Sequence, residues 1–174
     1  MDVAYGQDSA YVAANVWDGK RREFVCKAHL SYRNPMRYMP GLLGFREGPL
    51  LVNAAANLPR TPDVFLVDGQ GIAHPRRFGL ACHVGLALDM PTIGVAKSWL
   101  YGRSEGSRIV DPDGITIGVV IPTRSRRNFY VSVGHKICLE TASRTVDSCI
   151  VDGNPVPLRQ AHLDSVRMRR GDRV

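Results

Sequence analysis

The spacing of apolar positions changes character along the chain. Residues 10–17 and 24–32 are rich in Val, Ala, Phe and Tyr and are separated by the polar Asp18-Gly19-Lys20, the pattern of two antiparallel strands around a turn. Residues 2–5 predict a further short strand ahead of them. A loop holding Asn34-Pro35 and Pro40-Gly41 follows. Over residues 47–58 the period becomes helical, with Leu50, Leu51, Ala54, Ala55 and Leu58 on one face and Pro49 suited to a first turn. Thr61-Pro62-Asp63 ends that helix. Residues 64–67 are a continuous apolar run, as in a strand covered on both faces. Residues 79–88 return to helical spacing through Leu80, His83, Val84 and Ala87, and 92–96 form a short strand after Pro91. Residues 115–121 and 129–133 predict a later strand pair joined by an arginine-rich loop, and 140–150 and 158–169 predict two helices. Strands first, then strands alternating with helices, give an α/β class: a mixed sheet flanked by helices.

Composition adds little to the fold but bounds its setting. A chain of 174 residues, 44% hydrophobic and 22% charged, is ordinary for a globular protein and predicts a single domain over 1–174. No apolar run is long enough to span a bilayer, and Met1-Asp2-Val3-Ala4-Tyr5 is no signal peptide, so a cytoplasmic protein is expected. Cys26, Cys82, Cys138 and Cys149 have neither zinc-site nor disulfide-framework spacing. The net charge of +7 favours polyanionic partners. Two clusters sharpen this, His74-Pro75-Arg76-Arg77 and Arg124-Ser125-Arg126-Arg127; a third, at 167–170, reads as a solvated tail.

Candidate chemistry begins at Asp68, which follows the apolar run in Val67-Asp68-Gly69-Gln70-Gly71. A carboxylate at the C-terminal edge of a buried strand lies where α/β sheets bind ligands, although Asp-Gly is also a common turn pair. Asp2 and Glu47 alone are unremarkable, Glu47 being explicable as a charge at a helix start. Were the three acids to converge, they would repel one another unless a hard cation such as magnesium lay between them. Lys97, after the strand at 92–96, is a candidate phosphate contact. His135 is a candidate proton carrier or orienter, whereas His29, His83 and His162 have no distinguishing context. Tyr38, on the turn Tyr38-Met39-Pro40-Gly41, is a candidate wedge into a base stack.

Read together, these segments resemble the endonuclease V family. Arg37-Tyr38-Met39-Pro40-Gly41-Leu42-Leu43-Gly44-Phe45-Arg46-Glu47-Gly48-Pro49 is similar to its wedge and catalytic-glutamate motif. Val67-Asp68-Gly69-Gln70-Gly71-Ile72-Ala73-His74-Pro75-Arg76-Arg77 resembles its central metal motif, Pro91-Thr92-Ile93-Gly94-Val95-Ala96-Lys97-Ser98 its lysine strand, and Gly134-His135 its late histidine. The resemblance runs in one order from Asp2 to about Leu158. It implies a ribonuclease H-like fold, with Asp2, Asp68 and Glu47 holding Mg2+, for which Mn2+ substitutes. It implies catalysis by these acids with Lys97 and His135, a wedge at Tyr38, substrate contact by Pro40 on the same turn, and a base pocket around Gly41, Leu43, Gly69, His74 and Gly79. The implied reaction is hydrolysis of the second phosphodiester bond 3′ to a deaminated base, chiefly hypoxanthine, in DNA, with inosine-containing RNA a further candidate. No membrane partner and a monomeric state are expected. Family members usually carry a largely helical segment before the first metal aspartate. Here Asp2 follows Met1 directly, so the domain is expected to lack that extension and to hold its amino terminus near the metal. The main alternative is a non-catalytic nucleic-acid-binding module on the same fold. A Schiff-base enzyme using Lys97 is a second rival, and a resolvase or transposase sharing the carboxylates a third.

Overall fold

The computed structural model describes residues 1–33, 36–123 and 127–173. Three antiparallel strands open the chain: β1 (Asp2–Tyr5), β2 (Ser9–Asp18) and β3 (Glu23–Arg33). The helix α1 (Leu43–Ala56) follows, then β4 (Phe65–Asp68), α2 (Leu80–Leu88) and β5 (Thr92–Ala96). Next come β6 (Arg103–Glu105), β7 (Arg108–Val110), β8 (Thr116–Pro122) and β9 (Asn128–His135). The helix α3 (Leu139–Ser148), the two-residue strands β10 (Ile150–Val151) and β11 (Asn154–Pro155), and α4 (Val156–Arg170) complete it.

Six strands form a mixed sheet in the order β4-β5-β9-β8-β7-β6, with β4 and β5 parallel and the other neighbours antiparallel. The three-stranded meander joins its β4 edge. The Met1 nitrogen donates to Leu66 O at 2.7 Å, and the Asp68 amide donates to Met1 O at 3.2 Å. That pair is the bonding pattern of parallel strands, so the chain entering β1 runs alongside β4. Asp2 and Asp68 consequently come to the same rim of the sheet.

Alternation along β4 separates two hydrophobic layers. Phe65 and Val67 pack with Leu51, Ala54, Leu80 and Val84 beneath α1 and α2. Leu66 faces the other way and packs with Ile93, Val95, Phe129, Val131, Val146 and Leu158 beneath α3 and α4. Every residue of β5 is buried, as its central place requires. Among the described residues no helix is long and apolar enough to cross a membrane.

Two expectations need correction here. The first helix starts at Leu43, with Leu42 O accepting from the Phe45 and Arg46 amides, so Glu47 lies beyond its first turn and Pro49 is interior. The capping account of Glu47 therefore fails. The later β region also contains strands, β6 and β7, that the apolar pattern did not announce. Asn34-Pro35 and Arg124-Ser125-Arg126 lie outside the described residues.

Candidate active site

Five elements deliver the site. Asp68 ends β4, and Lys97 follows β5 directly. The parallel register sets Asp68 against Val95, which brings Lys97 within reach; its Nζ forms an ion pair with Asp68 Oδ2. Asp2 opens β1 and is only 8% exposed. The helix α4 supplies Ser165 Oγ, which donates to Asp2 Oδ2 at 2.5 Å, and His162 Nδ1, 3.3 Å from the same oxygen. His162 and Ser165 are three residues apart and therefore share one helix face. Glu47 comes from α1 on the other side of the sheet, beside the buried phenol of Tyr5.

The electrostatics are those of buried acids crowded together, with Lys97 paired to one of them. Burial, with the charge of Asp2 next, pushes the Glu47 carboxyl up to about 7. Burial also raises Asp68 above the usual carboxylate range, against the pull of Lys97, and Asp2 adds to the rise. Ligand atoms of Asp2, Asp68 and His162 all lie within 4.8 Å of one another. Two carboxylates and an imidazole at that spacing suit one divalent cation, and a hard ion would relieve the repulsion that raises the carboxyls. The residues present thus fit the metal that the sequence implied, with His162 added to the set. Glu47 lies within electrostatic reach of both aspartates.

His135 is not brought there. The antiparallel register pairs it with Thr92, at the end of β5 opposite Lys97, roughly 15 Å away along the strand. It lies 3.6 Å from Asp89 Oδ1, and its β-carbon lies against Gly85 of α2. Those are packing contacts, and the histidine that the fold brings beside the acids is His162. Sequence reasoning also passed over Ser165. The one available signal was the helical stripe Leu158, Ala161, His162, Ser165, which a length of chain separates from the other site residues.

A cavity of about 180 Å³ lies on the α1/α2 side, lined by Tyr38, Gly41, Leu43, His74 and Gly79 together with Gln70, Phe78 and His83. Two glycines are required by its construction. Gly41 has φ +78°, and a β-carbon on it would come within 2.7 Å of the Arg76 guanidinium. A β-carbon on Gly79 would come within 2.3 Å of Gln70 O, so only glycine lets α2 begin against this loop. Gly69 follows Asp68 but does not line the cavity, and Pro40 is exposed on the turn. Tyr38 is 62% exposed at the cavity's edge, with the Arg46 guanidinium 5.8 Å from its ring. Burial lowers the proton affinity of both His74 and His83, and Phe45 and Phe78 contact the His83 ring edge-on. Gln70 is 8% exposed; its Nε2 donates to Ser98 O at 3.1 Å, and its buried Oε1 has no partner among the described residues.

The family model for Endonuclease V matches residues 1–163. The chain belongs to the endonuclease V family. It is accordingly an endonuclease of the metal-dependent kind, on a ribonuclease H-like fold. The chain is 40% identical over 170 residues to endonuclease V of Protochlamydia amoebophila, covering 92% of this chain and 72% of that protein. It is 46% identical over 141 residues to that of Thermus thermophilus, covering 75% of this chain and 62% of the relative. Human endonuclease V superposes with a TM-score of 0.87 at 30% identity, over 98% of this chain and 82% of the human one. Endonuclease V of Ciona intestinalis, solved in complex with a 24mer DNA containing an inosine followed by a ribo-adenosine, superposes at 0.85 with 26% identity, over 98% of this chain and 84% of that one.

Proposed function

We propose that this endonuclease V chain hydrolyses the second phosphodiester bond 3′ to a deaminated base, hypoxanthine above all, in DNA, and inosine-containing strands of RNA as a further substrate. The observation that carries the reading is the meeting of Asp2, Asp68 and His162 at the sheet rim, next to a small cavity edged by an exposed tyrosine. The relative bound to inosine-containing DNA supports it.

Asp2, Asp68 and His162, with Glu47 beside them, would hold Mg2+, or Mn2+ in its place. A divalent ion there supplies neutralisation of phosphate charge and activation of water. Lys97 Nζ, anchored on Asp68, faces the same phosphate and takes up charge that develops on its oxygens. Glu47, whose proton affinity lies near neutrality, accepts the proton of the attacking water at a carboxylate oxygen. Ser165 holds Asp2 in one orientation through the 2.5 Å hydrogen bond. Tyr38 fills the gap left in the stack by the extruded base. Gln70, its amide anchored through Nε2 on Ser98 O, helps shape the cavity that takes the base.

The test is incubation with matched oligonucleotides, inosine against adenosine, DNA and RNA, with and without magnesium, and mapping of the cut. Cleavage one nucleotide beyond the inosine, only with metal, is the expected result. Tight binding of the inosine strand with no cleavage under any divalent ion would instead identify a non-catalytic binding module.

A further inference from the structure

A second and larger cavity, of about 790 Å³, opens from the other side of the acidic site. Its walls include Lys97 and His162, the residues that also contact Asp68 and Asp2. Its floor is apolar, built on Phe129 and Leu158 from the layer beneath α3 and α4. The base cavity, in contrast, rests on Leu80 from the layer beneath α1 and α2. The two cavities therefore lie on opposite faces of the sheet, with the acids at the rim between them.

The charge of this second cavity is one-sided. Arg127 and Arg159 join Lys97 and His162 in its lining, and among the described residues no carboxylate lines it. An apolar floor under a basic rim is the construction that tracks single-stranded nucleic acid, the rim meeting phosphates and the floor meeting sugars and bases. Its size lies within the range of sites that enclose a nucleotide-sized ligand.

We propose that this cavity binds the segment of the cleaved strand that lies downstream of the scissile bond. This assignment rests on the nuclease reading above. A strand with its damaged base in the small cavity crosses the rim at the acids, and its continuation meets Arg159 and Arg127 on the far face. The first nucleotide past the cut seats on the Phe129–Leu158 floor, and the arginines hold the phosphates beyond it. Substrate affinity thereby depends on nucleotides that the base cavity never touches.

The test compares two inosine-containing single strands, one with a single nucleotide beyond the cleaved bond and one with several. KM and its salt dependence are measured for the unaltered chain, for Arg127→Ala/Arg159→Ala, and for Arg144→Ala. Arg144 is an exposed α3 residue beside Glu140 and controls for lost positive charge. On the longer strand the double variant should raise KM about tenfold and flatten the log–log salt slope by roughly one to two. On the shorter strand it should match the unaltered chain, and Arg144→Ala should match it on both. Equal KM losses on both strands, or none on either, would overturn the proposal. No cutting of either strand by the unaltered chain under any divalent ion would instead remove the nuclease reading, a result visible before any variant is made.

Discussion

Asp2 lies close enough to Asp68 to add to its cost of ionisation, and the groups around the two acids divide the work of holding them. Lys97 pairs with Asp68, while Ser165 and His162 contact Asp2. This allocation separates the two candidate histidines experimentally. His162→Ala should lower the single-turnover cleavage rate about a hundredfold or more. His135→Ala should leave that rate close to the parent's, because its neighbours are Asp89, Thr92 and Gly85. Gln70 makes a second residue-level expectation. Gln70→Leu keeps the side chain's bulk but removes the Nε2 anchor on Ser98 O that helps shape the cavity, and should reduce the preference for inosine over adenosine about tenfold or more in competitive cleavage. An unchanged preference would show that the amide does not shape the base cavity. At this scale the acids and Lys97 were legible because each stands in a contiguous motif beside a strand or turn. His162 was not, because its proximity to Asp2 exists only after residues 156–170 have wound into a helix and docked.

The elements are positioned by a few decisions of packing and register. The long strands β2 and β3 and the buried strand β5 were legible from apolar content, since a fully covered strand admits little else. The strands β6, β7, β10 and β11 are two or three residues long, too short to establish a period. The start of α1 was misread because Pro49 looked like a first-turn residue, yet the chain tolerates it inside the helix. Its ring removes the amide that would bond to Phe45 O. Pro49→Ala should therefore stabilise the protein, on the order of 1 kcal/mol or more, read as a raised urea midpoint. The docking of α4 depends on Leu158, which is 1% exposed in the layer shared with Val95 and Phe129. Leu158→Ala should cost about 2–5 kcal/mol and lower the melting temperature accordingly.

At the scale of the molecule, the site is a product of sheet closure. Met1 bridges to Leu66 and Asp68, and that one parallel contact joins the meander to the larger sheet. No local pattern announces such a contact, since the two segments are far apart in the chain. Its consequence is an acid cluster whose stability depends on pH. The Glu47 carboxyl, pushed from 4.5 to about 7, is better tolerated protonated in the folded state than in the unfolded chain. Its contribution is fully present below 4.5 and is lost as pH rises through about 7. A divalent ion requires the deprotonated acids and offsets that loss. The rise in melting temperature on adding magnesium should therefore grow between these two pH values and level off above them; a rise independent of pH would place the ion elsewhere. The most direct measurement is manganese(II) binding, followed through the electron paramagnetic resonance of the free ion at mildly alkaline pH. The unaltered chain should take up the ion, and Asp68→Ala and His162→Ala should each weaken uptake about tenfold or more. Equal uptake by the parent and Asp68→Ala would contradict a metal centre at the sheet rim.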